Sequence, residues 1–120
     1  MRGAAGQPTR PYVLSLINAG TTLRLTIGSL DFDDALEAPS TLTYRIDNLT
    51  DALNLVPTTS IPTPGTETTL TIAASVNVMS YNWRDTQLNQ VTFTATYADG
   101  SQVVEVICYE VCAVAQAVAQ

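Results

Sequence analysis

Apolar and polar residues alternate without a break from Val91 to Tyr97. Val91, Phe93, Ala95 and Tyr97 fall on one side, and Thr92, Thr94 and Thr96 on the other. A period of two marks a strand with one buried face. Asp99-Gly100 follows, a dipeptide that supplies the positive backbone angles of a tight hairpin turn. A second apolar-rich run, QVVEVICYEV, returns after it. The last third of the chain therefore predicts a hairpin of two long strands. With Asp99-Gly100 as a two-residue loop, Ala98 opposes Ser101. Counting back, Ala95 faces Val104, Phe93 faces Val106 and Val91 faces Cys108, all toward the core. On the opposite side Thr96 meets Val103, Thr94 meets Glu105 and Thr92 meets Ile107, with Tyr109 and Val111 continuing that face. Val103, Ile107, Tyr109 and Val111 are too apolar for a purely solvated surface, so this register predicts an outer face covered by another subunit or by the chain's own arm. The plainer explanation is that β-branched residues favour strands even when exposed.

The same alternation predicts strands over 12–17, 21–27, 41–47 and 67–73. Leu23, Leu25 and Ile27 share a face in the second, Leu42, Tyr44 and Ile46 in the third, and Leu70 and Ile72 are buried in the fourth. Residues 48–55 read as a helical turn or a short edge strand. The segment VPTTSIPTPGTET (56–68) carries three prolines, which deny a central strand and favour a loop or an edge. Residues 73–85 make a long connection before the hairpin. Short alternating strands separated by turn signals indicate an all-β protein, an antiparallel β-sandwich. No segment of helical period competes with it. The division expected is an extended N-terminal arm (1–11), a β-sandwich (12–114) and a C-terminal tail (115–120). The arm holds two of the five Arg, Arg2 and Arg10, and could reach an acidic neighbour. A frayed terminus is the commoner case.

At 120 residues the chain makes one domain with one two-layer core. Charged residues are only 13% of it, against roughly 25% in ordinary soluble domains. A surface so poor in charge suits lying against other proteins. The net charge is −6, with five Arg, no Lys and eleven acids. No basic patch exists to displace counterions from phosphate, so neither nucleic acid nor an anionic membrane is an expected partner. No apolar run approaches the roughly 20 residues that span a bilayer, and residues 1–11 lack the apolar core of a secretory signal. The expectation is a product made in a cytoplasm. Cys108 and Cys112 on one strand stand about 13 Å apart, beyond disulfide reach. Both are expected to be reduced, inert thiols.

Composition also removes most catalytic chemistry. Without His there is no Ser-His-Asp or Cys-His arrangement, and without Lys no Schiff base or phosphate-loop lysine. No enzyme activity and no cofactor are expected. Four constellations remain. Asp31, Asp33, Asp34 and Glu37 could hold calcium, but they lack the spacing and central glycine of an EF-hand, and a solvated acidic turn is the better reading. Tyr81, Trp83 and Arg84 could stack a sugar ring or anchor an interface; equally, the lone Trp could plug the end of the sandwich. Asn48-Leu49-Thr50 is a formal glycosylation sequon, unused without secretion. Cys108 and Cys112 could form a redox or metal pair, against the default of buried thiols.

The strings STLTYRIDNLTDALNLVP, TTLTIAASVN and VTFTATYADGSQVVEVICYEV together resemble a group of small immunoglobulin-like proteins encoded among the structural genes of tailed bacteriophages. The likeness spans about residues 12–111. It rests on the Tyr44-Arg45-Ile46-Asp47 strand and on a closing hairpin that turns at Gly100. The chain departs from antibody-type domains, because both cysteines follow Trp83 and no inter-sheet disulfide can form. The resemblance implies an immunoglobulin-like sandwich and a virion structural protein made in the host cytoplasm. Its place would be on the capsid as a decoration or cement protein bound to the major capsid protein, with self-association in the assembly. A neck, tail or baseplate connector is the alternative within that setting, and a carbohydrate- or receptor-binding module outside it. The contact residues expected are Arg2, Arg10, Val103, Ile107, Tyr109 and Val111, with Tyr81, Trp83 and Arg84 as a second set.

Overall fold

The computed structural model of the chain describes residues 12–28 and 38–113. Among them are seven strands and no helix: β1 (Tyr12–Asn18), β2 (Leu23–Gly28), β3 (Thr41–Asn48), β4 (Leu53–Ser60), β5 (Glu67–Ile72), β6 (Thr86–Thr96) and β7 (Gln102–Cys112). The arm with Arg2 and Arg10, the acidic loop with Asp31, Asp33, Asp34 and Glu37, and the C-terminal tail lie outside the described residues.

The strands form two sheets. One has the order β1-β7-β6-β3-β4 and the other is the pair β2-β5. Every pairing is antiparallel except that of β1 with β7, which is parallel. The chain changes sheet between β1 and β2, between β2 and β3, between β4 and β5, and between β5 and β6. Alternation decides which side chains fill the space between the sheets. Leu25, Leu70 and Ile72 come from the small sheet, and Leu42, Ile46, Val91, Phe93, Ala95, Tyr109 and Val111 from the large one, in a single buried cluster. The molecule is thus all-β with two sheets packed face to face, as in a β-sandwich.

The hairpin register differs from the expected one by one residue. Ala95 pairs with Val103, Phe93 with Glu105 and Val91 with Ile107. The loop is Ala98-Asp99-Gly100, three residues and not two. The Gly100 amide donates to the Tyr97 carbonyl and the Tyr97 amide to the Ser101 carbonyl, both at 2.9 Å. Gly100 alone in this loop takes a positive φ, 91°. This is a type I turn closed by a glycine bulge, and Asp99 fastens it by accepting from the Ser101 amide (2.9 Å) and hydroxyl (2.7 Å). A slip of one residue turns every side chain of a strand to the other face. Val103, Ile107, Tyr109 and Val111 therefore lie on the inner face and are not the outer contact surface that a two-residue loop predicts. Tyr109 and Val111 are fully buried, and Val103 and Ile107 pack against the core. Val104, 59% exposed, occupies the outer face instead. Core packing and the turn agree here, since this register sets Ile107, Tyr109 and Val111 in or against the core cluster, which the smaller Val106, Cys108 and Cys112 do not join.

Residues 48–55, open between a helical turn and an edge strand, divide into a turn at 49–52 and the start of β4, an edge strand of the large sheet. Pro57 sits within it where the β3–β4 ladder shifts register, between the pairs Ile46–Val56 and Tyr44–Thr59. A residue without an amide proton is tolerated at such a bulge on a sheet edge.

Candidate functional site at the Trp83 end of the sandwich

One end of the sandwich gathers the turn 49–52, the β5–β6 connection and the last residues of β1 and β7. Backbone bonds tie these pieces together: Leu49 donates to Leu88 (2.8 Å), Gly20 to Asn77 (2.6 Å) and Ala113 to Asp85 (2.8 Å). Of the six most exposed large hydrophobic side chains among the described residues, four sit on these two loops: Leu49, Val78, Tyr81 and Trp83. The opposite hairpin end contributes only Val104, so the apolar surface is concentrated here.

The tips of Tyr81, Trp83 and Arg84 form a platform. The Tyr81 and Trp83 rings stack with centroids 5.4 Å apart and planes inclined by 24°. The Arg84 guanidinium carbon lies 4.5 Å from the Trp83 ring centroid, a cation–π contact. Trp83 is 65% exposed and Tyr81 40%. Trp83 therefore does not plug the end of the sandwich; it stands out from it, and the structure places all three residues of this set together.

The platform is held from beneath. Arg84 Nε donates to Asp51 Oδ1 at 2.9 Å and Nη2 reaches the same oxygen. The Asp51 side chain is almost fully buried. Its other oxygen accepts from Asn48 Nδ2 (3.0 Å), and its own amide donates to Asn48 Oδ1 (2.9 Å). Burial opposes the charge on Asp51, but the hydrogen bonds from Arg84 and Asn48 outweigh it and hold the carboxyl below the usual range.

Asn48 continues inward through a chain of hydrogen bonds. Its Nδ2 donates to Ser80 Oγ (3.0 Å), the Ser80 amide to Gln87 Oε1 (2.8 Å), and Gln87 Nε2 to Asn89 Oδ1 (2.9 Å). Asn89 Nδ2 then donates to the Tyr109 hydroxyl (3.3 Å), Tyr109 to Asn77 Oδ1 (2.6 Å), and Asn77 Nδ2 to the Thr21 carbonyl (2.8 Å). Asn48, Asn77, Gln87, Asn89 and Tyr109 are all fully buried. A buried amide is costly unless it is paired, and each of these is paired. The spine couples β3, β6, β7 and both loops under the platform. Alternation alone could not reveal it, because Gln87 and Asn89 occupy inward positions where the pattern expects apolar residues. Their place two and four residues before Val91 in the same alternating run is the signal that could have found them.

The remaining candidates resolve differently. The Asn48 of the sequon is buried with both amide hydrogens committed, so a glycan cannot be carried there in the folded protein. Cys108 is buried and Cys112 partly so, both as free thiols four residues apart on β7. Burial pushes the Cys108 thiol up. A hollow beside the turn is lined by Arg45, Asp47, Leu49 and Asn54. Its polar groups answer one another: Arg45 donates twice to Asp47 (3.0 and 2.8 Å), and Asn54 donates to the same carboxylate (3.0 Å). Among the described residues no three His, Cys, Asp or Glu side chains gather as metal ligands, and no helix is long and apolar enough to cross a membrane.

Neither a protein-family model, a curated protein nor a solved structure matches the chain. The resemblance to phage immunoglobulin-like proteins therefore stands on the strand motifs alone.

Proposed function

We propose that this chain is a non-enzymatic structural protein that binds a neighbouring protein through the Tyr81–Trp83–Arg84 platform. The observation that carries the reading is the combination of exposure and anchorage at Trp83. A ring 65% exposed would ordinarily be mobile, yet its guanidinium neighbour is clamped by a nearly buried carboxylate. Trp, Tyr and Arg are the residues enriched at the energetic centres of protein interfaces, and pre-organised side chains lose little freedom on binding. The low charge of the whole chain favours the same use.

The finer fold reading is immunoglobulin-like. Its support is the strand order: β2-β5 corresponds to the B–E pair, β3-β6-β7 to the C–F–G sheet, β4 to an added edge beside C, and β1 to a first strand lying on G. The setting that the sequence resemblance names is the virion of a tailed bacteriophage, with the protein decorating or cementing the capsid. The same sandwich as a neck or tail connector differs in copy number.

Quantitative mass spectrometry of purified particles tests this, with copy number expressed against the major capsid protein. A simple fraction of the capsid count is expected, and incorporation should fall for Trp83→Ala. A ratio like that of the portal moves the protein to the neck or tail. Absence from particles removes the virion, and full incorporation of Trp83→Ala removes the platform.

A further inference from the structure

Residues 8–11 read Pro-Thr-Arg-Pro, and the platform at 81–84 is aromatic and set in an acidic body. We infer that residues 1–11 of one copy dock on the Tyr81–Trp83–Arg84 platform of a second copy. This rests on the platform being a protein-contact surface and names its occupant.

Three observations converge on it. The first is spacing. Pro8 and Pro11 stand three residues apart, the spacing at which a polyproline II helix would put both rings on one face. Such segments seat their prolines on exposed Tyr and Trp rings and arrive already ordered. Tyr81 and Trp83 offer such a surface, held rigid through Arg84 and Asp51.

The second is charge. Residues 1–11 carry Arg2 and Arg10 and no acid, a balance of +2; the other three Arg against eleven acids leave −8 on the remainder. Arg84 is answered by Asp51, so it does not repel an incoming cation at full strength. The next residue, Asp85, is exposed and offers a carboxylate to an incoming cation.

The third is direction. β1 runs parallel to β7, from Tyr12 beside Ile107 to Asn18 beside Cys112. Cys112 is at the platform end, where Ala113 bonds to Asp85. The chain thus enters β1 already travelling toward its own platform. Residues 1–11 lie outside the described residues; an extended segment of that length reaches roughly 34 Å at about 3.1 Å per residue, enough to meet a second molecule. A reciprocal exchange of arms closes a two-fold pair, and a one-way exchange builds rings or open chains.

The test uses the full chain. A dye-labelled peptide of residues 1–11 is titrated into the full-length Pro8→Ala/Pro11→Ala double variant, whose own arm cannot compete, and anisotropy is read. Saturable binding is expected. It should weaken roughly tenfold or more when the receptor also carries Trp83→Ala, and likewise when the peptide carries both Ala substitutions. Circular dichroism checks that the receptors are folded. Sedimentation velocity of the unaltered chain should show association that grows with concentration and is lost in the double variant. Equal binding by the Trp83→Ala receptor, no binding at all, or a chain monomeric at every concentration overturns the proposal. So does a platform that retains a glycan and ignores the peptide. If the peptide fails while Trp83→Ala still blocks incorporation into particles, the contact reading stands and this inference alone falls.

Discussion

Arg84 donates Nε and Nη2 to a single oxygen of Asp51, and that carboxylate is almost fully buried while the guanidinium faces the Trp83 ring. The pair converts a surface ring into a fixed one. Asp51→Asn removes the charge that Arg84 answers, and Arg84→Lys removes the planar fork. Both are expected to free the ring. The chain has one Trp, so acrylamide quenching and fluorescence anisotropy read Trp83 directly. Quenching should rise and anisotropy fall in each variant. Acid should have the same effect. The folded-state pKa of Asp51 is lowered, so its contribution to stability is present above the ordinary carboxylate pKa and is lost as pH falls through the folded value. Quenching that stays flat from neutral pH to strong acid in a folded protein contradicts the clamp.

The hairpin register makes a paired prediction. Ile107 packs against the core, so Ile107→Asp places a charge among apolar side chains and should abolish cooperative folding. Val104 is exposed on the other face, and Val104→Asp should change stability by no more than about 0.5 kcal/mol. Thermal melts of the two variants decide it: the reverse result restores the two-residue loop.

Tyr109 joins two amides in the core. Tyr109→Phe keeps the ring and removes the hydroxyl, leaving Asn77 Oδ1 without its donor and Asn89 Nδ2 without its acceptor. A cost of about 1–3 kcal/mol is expected in urea unfolding. Burial raises the Tyr109 pKa, opposed in part by the Asn89 bond. A raised folded value means that stability is present below the ordinary tyrosine pKa and is lost as pH rises toward the folded one. The wild-type protein should therefore weaken in alkali more steeply than Tyr109→Phe.

The two thiols should separate by reactivity. Cys112 is partly exposed, whereas Cys108 is buried with its pKa raised. Thiolate is the reactive form, so iodoacetamide should modify Cys112 first and Cys108 only as the protein opens. Mass spectrometry over a time course distinguishes them after cleavage at glutamate, because Glu110 lies between the two cysteines. Equal rates would mean that β7 is open at this end.

Thr68 points into the core from β5, and its hydroxyl has no hydrogen-bond partner among the described residues. Thr68→Val replaces it with an apolar isostere. The melting temperature should rise, by the equivalent of about 1 kcal/mol. A fall would show that the hydroxyl is paired in solution.

Most strand positions were legible because alternation is local. Leu42, Tyr44 and Ile46, or Val91, Phe93 and Ala95, declare their strands whatever lies across from them. β4 was harder. Pro57 reads as a breaker, and only the edge position and the ladder shift beside it let a strand pass through. The platform was half legible: Tyr81, Trp83 and Arg84 stand out by residue type, but outward and inward placements of a lone Trp look alike in a sequence.

The amino-acid sequence by itself determined the all-β class, the positions of most strands and the poverty of charge, since each follows from residue type and a period of two. Only the tertiary structure decided the rest. Gly100 closing a three-residue loop shifted β7 by one position and sent Ile107, Tyr109 and Val111 inward. Asn48, Gln87, Asn89 and Asn77 became interior residues only because partners 2 to 32 positions away satisfied them. Trp83 became a fixed surface feature because Arg84 met Asp51 across 33 residues of chain. Such pairings depend on which segments the fold brings together, and no local pattern encodes that.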